Sequence, residues 1–141
     1  MLLFQQIYIC KVIIIIMKVL EIKTSKRNEM IDITSKVESL IESDGIVTVF
    51  VPHTTAAVTI NENADPTVKQ DVLKKLKELI PKNDDYKHLE GNSDSHLKSI
   101  LTGSSIQVIV KNGKLQLGTW QGIFFCEFDG PRQRKVWIKE V

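Results

Sequence analysis

Residues 106–141, IQVIVKNGKLQLGTWQGIFFCEFDGPRQRKVWIKEV, decide the fold. Ile106 to Val110 is short, apolar and β-branched, which reads as a strand. Asn112-Gly113 follows, the strongest short-range hairpin signal, because both residues tolerate a left-handed backbone. Lys114 to Leu117 answers as the return strand. Gly122 to Phe128 and Val136 to Val141 are two further strands, separated by Asp129-Gly130-Pro131. Strands joined by such tight turns pair antiparallel.

Upstream of this block, strands and helices mix. Val19 to Lys23 and Glu29 to Ile33 alternate weakly around a turn at Lys26–Asn28. Ser35-x-x-Glu38 has capping-box spacing, and Val37, Leu40 and Ile41 then predict a short helix that stops near Asp44-Gly45. Ile46 to Val51 is a buried strand ended by Pro52, and Val58 to Ile60 is another. Asp65-Pro66 opens the clearest helix, since Asp caps well and Pro suits the first turn. Val68, Val72, Leu76, Leu79 and Ile80 share one face of it, and Pro81 ends it. Asn92 or Ser93 caps a third helix. Leu97, Ile100 and Leu101 form its apolar stripe, and Gly103 stops it. No regular strand–helix–strand rhythm exists, so the fold class is α+β: one compact domain of antiparallel sheet with about three helices.

Composition agrees with a single packed domain. The chain has 141 residues, 43% hydrophobic and 26% charged, which excludes wholesale disorder, a fibrous protein and a polytopic membrane protein. The net charge of +2 gives no support to a nucleic-acid binder working by bulk charge. Two cysteines, Cys10 and Cys126, make no disulfide framework, which fits a cytoplasmic setting. Residues 1–16, MLLFQQIYICKVIIII, match neither a signal peptide nor a membrane span. They read as an extension upstream of the start at Met17, with the domain over 17–141. No membrane partner is expected.

The polar residues outside this pattern carry the chemistry. His53, His88 and His96 all sit in turn-like segments beside element ends. Imidazole is both a common metal ligand and the usual general base near neutral pH. His88 and His96 are eight apart, which is no compact zinc signature, and a three-ligand site would need His53 as well. The alternative is that each histidine hydrogen-bonds at its turn. Glu90 is two residues from His88 and could orient its ring or act as an acid/base group. Asn92 and Ser93 form a helix N-terminus, whose free N–H groups favour anions. Thr54 and Thr55 add hydroxyls. Arg132 and Arg134 add guanidinium groups, or lie on an exposed strand edge. Trp120, between two glycines, could stack on a flat ring or serve as packing. Cys126 lies in an apolar strand and reads as core.

Four blocks extend the argument: EIKTSKRNEMIDIT (21–34), PHTTAAVTINENADP (52–66), HLEGNSDSHLK (88–98) and GKLQLGTWQGIFFCEFDGPRQR (113–134). Together they resemble the YjbQ family, also called the secondary thiamine-phosphate synthase family. The resemblance implies a compact α+β homotrimer with the motif residues gathered in a cleft. It implies thiamine-phosphate synthesis, the joining of hydroxymethylpyrimidine pyrophosphate to a thiazole phosphate with release of pyrophosphate. That reaction could be a side activity of an enzyme acting on another small phosphorylated substrate. Under the resemblance His53, His88 and His96 are metal or acid/base groups, with Glu90 and Asn92 beside them. Thr54, Thr55 and Arg132 are phosphate contacts. Zinc is the first cofactor to look for, and no organic cofactor is implied. The competing classes are a trimeric metal- or small-ligand-binding module and a metal-dependent phosphohydrolase.

Overall fold

The computed structural model describes residues 16–141. The proposed extension, apart from Ile16, lies outside them, as does Cys10. Eight strands and three helices follow in the order β1 (Lys18–Lys23), β2 (Glu29–Asp32), α1 (Thr34–Glu38), β3 (Gly45–Phe50), β4 (Ala56–Glu62), α2 (Pro66–Leu79), α3 (Ser93–Thr102), β5 (Ser105–Lys111), β6 (Lys114–Leu115), β7 (Gln121–Glu127) and β8 (Gln133–Glu140). All described pairings are antiparallel. They make a five-stranded sheet, β1-β8-β3-β5-β6, and a three-stranded sheet, β2-β7-β4. No helix among the described residues is long and apolar enough to cross a membrane.

The two sheets face each other across the main core. Val47, Val49, Val108, Val110, Val136 and Ile138 from the larger sheet meet Val58, Ile123 and Phe125 from the smaller one. The alternation of β8, in which Arg134, Val136 and Ile138 are buried and their neighbours exposed, is the period-two signature of a sheet with one covered face. Strand β7 behaves differently. Every residue from Gly122 to Glu127 is buried, because β7 is the middle strand of a sheet covered on both sides. On its far side Met30, Ala57, Phe124, Cys126 and Phe128 pack under Val72, Leu73 and Leu76 of α2. The sequence run GIFFCEF therefore reports a strand between two layers. Cys126 is core, as its surroundings predict, and burial pushes its thiol up to about 12.

Local chemistry sets the element ends. Asp65 caps α2, its Oδ1 accepting from the Thr67 amide at 2.9 Å. Asn112 and Gly113 both take positive φ, 53° and 71°, as the hairpin requires. The expected capping box at Ser35 is absent. Helix α1 starts two residues earlier, with Ile33 at the N-cap position, and Asp32 Oδ1 instead accepts from the Thr34 amide and hydroxyl at 2.9 and 2.6 Å. Strand β4 is longer than Val58–Ile60 because its pairing with β7 runs from Ala56 to Glu62.

Helix α3 departs furthest from expectation. Its predicted apolar stripe faces outward: Leu97, Ile100 and Leu101 are 43, 76 and 71% exposed. Its buried side is polar, comprising Asp94, Ser95, Lys98 and Ser99. Asp94 explains the inversion. It receives both Arg27 guanidinium nitrogens at 2.9 Å and Lys98 Nζ at 3.0 Å. Ser95 Oγ donates to the Phe128 carbonyl at 2.6 Å. Buried charges persist only when paired and hydrogen-bonded, and here they are. The network ties α3 to the β1–β2 loop and to the end of β7.

Candidate functional site

A polar pocket of about 470 Å³ opens where the chain leaves β3, β7 and the loop before α3. The β3–β4 loop brings His53, Thr54 and Thr55. The loop before α3 brings His88, Glu90 and Asn92, and the helix itself brings His96. The turn after β7 and the start of β8 bring Asp129, Arg132 and Arg134. Three segments far apart in sequence converge because sheet pairing aligns their ends.

His53 is defined by its hydrogen bond. Its Nε2 accepts from the Lys135 backbone amide at 2.9 Å. Burial, followed by the nearby Arg134 cation, holds its pKa below the ordinary value for histidine. The ring is therefore neutral near pH 7. With Nε2 taken as acceptor, the proton sits on Nδ1, which is a donor. His88 and His96 stand edge to face with ring centroids 5.5 Å apart. His88 Nε2 lies 3.9 Å from Glu90 Oε2, just outside hydrogen-bond range.

Behind this front lies a rigid support. Arg134 is buried, and its guanidinium grips Glu127 at 2.8 and 2.6 Å. Arg134 Nη2 also donates to Thr55 Oγ1 at 2.8 Å, and Thr24 Oγ1 donates to Glu127 Oε2 at 2.9 Å. Arg134 is thus no exposed edge residue. The inward position of residue 134 in the β8 alternation forces it to bury, and Glu127 on β7 answers the charge. Thr55 shares that network and is only 6% exposed, so it lines the wall from within.

Arg132 is the accessible cation. Its Nε donates to the Asp129 carbonyl at 2.8 Å and its Nη2 to Asp129 Oδ2 at 3.0 Å, while the side chain stays half exposed. Asp129 Oδ2 also accepts from Asn92 Nδ2 at 2.9 Å. Asp129 was not among the residues expected here, and its sequence signal, a D-G-P turn, said only that the chain reverses. Asn92 Oδ1 is buried without a partner.

Not every expected residue joins the site. Ser93 borders an adjoining shallow hollow with Tyr86, His88, His96 and Leu97. Trp120 is outside the pocket: it precedes β7, whereas Asp129 follows it, so the two lie roughly 25 Å apart along the strand. Among the described residues no three His, Cys, Asp or Glu side chains are grouped to hold a metal ion. With His53 Nε2 engaged by the Lys135 amide, the three histidines as arranged do not fit a three-ligand centre.

Comparison with known proteins agrees with this architecture. The family model described as UPF0047 protein YjbQ-like matches residues 18–141. The chain belongs to the YjbQ-like UPF0047 family. It is 57% identical over 125 residues to a UPF0047 protein of Methanocaldococcus jannaschii, covering 86% of this chain and 91% of that one. It is 54% identical over 128 residues to UPF0047 protein YugU of Bacillus subtilis, covering 87% and 97%. A crystal structure of a YjbQ/UPF0047 protein from Clostridium acetobutylicum superposes with a TM-score of 0.86 at 55% identity, covering 88% of this chain and 99% of that one. A conserved hypothetical protein from Thermus thermophilus superposes with a TM-score of 0.84 at 48% identity, covering 88% and 99%. The YjbQ-like fold is thus the one described above, sheet upon sheet with α2 as the outer layer.

Proposed function

We propose that this YjbQ-like chain is an enzyme acting on a small phosphorylated substrate, with thiamine-phosphate synthesis as the reaction to assay first. The observation carrying this reading is the pocket itself. One concavity holds a neutral imidazole with Nδ1–H free to donate, a half-exposed arginine and a histidine–carboxylate pair.

The reaction is a displacement at carbon. The bond from the pyrimidine methylene carbon to pyrophosphate breaks, and its electron pair leaves with pyrophosphate. The thiazole nitrogen donates its lone pair to that carbon, and no proton need move. Stabilising the departing charge is then the main task, and preorganised donors are the largest usual catalytic term. Arg132 and His53 Nδ1–H are placed for it.

Charge accounting adds a condition. Arg134 is cancelled by Glu127, which leaves Arg132 against Glu90 and Asp129. A polyanion entering such a site is best matched when it brings a divalent cation of its own, as a magnesium pyrophosphate ester does. The ion is then part of the substrate.

The test is pyrophosphate release by the purified chain from the two substrates, with and without magnesium. Magnesium-dependent turnover that falls about 100-fold in Arg132→Ala and His53→Ala, with thermal unfolding unchanged, is expected. Binding of the pyrimidine pyrophosphate without turnover would make the protein a small-ligand-binding module. Release of phosphate from simple esters would make it a phosphohydrolase. Stoichiometric zinc by elemental analysis, lost in His53→Ala, His88→Ala and His96→Ala, would overturn the metal-free account of the histidines.

A further inference from the structure

The turn that presents Arg132 is held from behind by a residue outside the pocket. Strand β1 pairs with β8 as far as Lys23 and Gln133. One step further the ladder changes. The Thr24 amide still donates to the Arg132 carbonyl at 3.0 Å. The return bond, which a regular antiparallel pair takes at a backbone carbonyl, goes instead to a side chain: the Arg132 amide donates to Thr24 Oγ1 at 2.8 Å.

A hydroxyl has one proton to give. Thr24 Oγ1 lies 2.9 Å from Glu127 Oε2 and 3.2 Å from the Arg132 carbonyl, and the nearer, charged acceptor takes the proton. The hydroxyl thus links the buried Glu127 carboxylate to the backbone of Arg132. Glu127 holds the other end of the same turn directly, its Oε1 accepting from the Asp129 amide at 2.9 Å. Gly130 lies between the two held ends. A Cβ there would fall 2.2 Å from the Lys26 carbonyl oxygen, 2.8 Å from Glu127 Cγ and 2.9 Å from Thr24 Oγ1, so the turn is pressed onto its support. The direction of the Arg132 side chain follows from that backbone. Both groups that orient its guanidinium, the carbonyl and the carboxylate of Asp129, belong to the clamped turn.

We propose, on the reading of the pocket as a site for a phosphorylated substrate, that Thr24 is a positioning residue for the anion: its hydroxyl and the Glu127 carboxylate fix the turn so that the Arg132 guanidinium is oriented before the phosphate arrives. A long side chain that must be ordered on binding costs affinity, and one held in advance does not. Packing alone would accept valine at position 24, which has the same shape. It does not explain a hydroxyl satisfied on both sides, by a carboxylate of β7 and by an amide 108 positions away. Thr34 supplies a matched control. Near the start of β7, away from Arg132, its hydroxyl makes the same two kinds of bond, donating to Asp32 Oδ1 at 2.6 Å and accepting from the Ile123 amide at 2.8 Å.

The experiment compares the full chain as wild type, Thr24→Val, Thr24→Ser and Thr34→Val. Affinity for inorganic pyrophosphate with magnesium is read by calorimetry, and hydrogen exchange of the Arg132 backbone amide and Nε–H by ¹⁵N NMR. In Thr24→Val the affinity should fall about 10-fold, the scale of ordering one long side chain. Both Arg132 protons should then exchange about 10-fold faster. Thr24→Ser keeps the hydroxyl and should restore both readings, while Thr34→Val should leave both at the wild-type level. Wild-type affinity in Thr24→Val overturns the proposal. So does an equal loss in Thr34→Val, which would mark a general effect of stability. If the wild type does not bind pyrophosphate, the phosphate reading of the pocket fails, and exchange alone decides the positioning: unchanged Arg132 Nε–H exchange in Thr24→Val overturns it. If Thr24→Val does not fold, the wild type decides, because the Arg132 amide must be protected by its bond to Thr24 Oγ1, and an unprotected amide overturns the link.

Discussion

At the scale of single residues, the site depends on which nitrogen of His53 holds a proton. The Lys135 amide claims Nε2, and burial with the Arg134 cation disfavours the charged ring. His53 is therefore expected as the Nδ1–H tautomer, titrating below the ordinary histidine value. Long-range ¹H–¹⁵N spectra of labelled protein between pH 4 and 8 check this. An Nε2–H tautomer, or a midpoint above about 6.5, would refute the donor role given to Nδ1. Much of the site was legible residue by residue. His53, Thr54, His88, Glu90, Asn92, His96 and Arg132 all reach the pocket. From sequence, Asp129 has no role, and Arg134 stands between a guanidinium contact and an exposed strand edge. Asp129 sits in a turn whose side-chain direction the sequence does not state. Arg134 was ambiguous until the register of β8 turned it inward onto Glu127.

At the scale of elements, α3 shows how tertiary partners override a local pattern. Its hydrophobic spacing correctly predicts a helix but says nothing of which side meets the core. Arg27, from another part of the chain, settles that by pairing with Asp94. Asp94 is fully buried, and the Arg27 and Lys98 hydrogen bonds hold its carboxyl down to about 2 despite that burial. Its unfolded value is near 3.9. The stability it contributes is therefore complete above about pH 4 and is lost as the pH falls through about 2. Asp94→Asn leaves Arg27 and Lys98 without their counter-charge, a change that costs about 3–5 kcal/mol when a buried pair is broken. Urea unfolding at pH 7 should show a loss of that size, shrinking toward pH 2. A constant difference across that range would mean that the charge of Asp94 is not what holds α3.

At the scale of the whole molecule, stability resides where the smaller sheet is covered twice. Phe125 points into the core between the sheets, and Phe124 and Cys126 point toward α2. Phe125 is fully buried, and truncating a buried phenylalanine typically costs about 3–5 kcal/mol. Phe125→Ala should lose that much in chemical denaturation, whereas Trp120→Ala, at a 62% exposed turn, should change the stability of the isolated chain by less than about 0.5 kcal/mol. A large loss at Trp120 would show that contacts beyond the single chain already contribute to its stability.

The sequence by itself determined the α+β class, the antiparallel pairing, the extents of α2 and α3 to within a residue or two, and the family. These follow from chain-local signals: alternation along strands, an Asp-Pro helix start, an Asn-Gly turn, and long ordered motif blocks. Only the tertiary structure decided how the sheets stack, why β7 is buried throughout, which side of α3 faces outward, and where Trp120 lies relative to the pocket. Those outcomes depend on pairings that the chain makes only once it has folded. Arg27 and Asp94 are 67 positions apart, and their pairing fixes an orientation of α3 that no local period encodes. Arg134 follows the alternation of β8, and only the fold brings Glu127 of β7 against it to answer the charge.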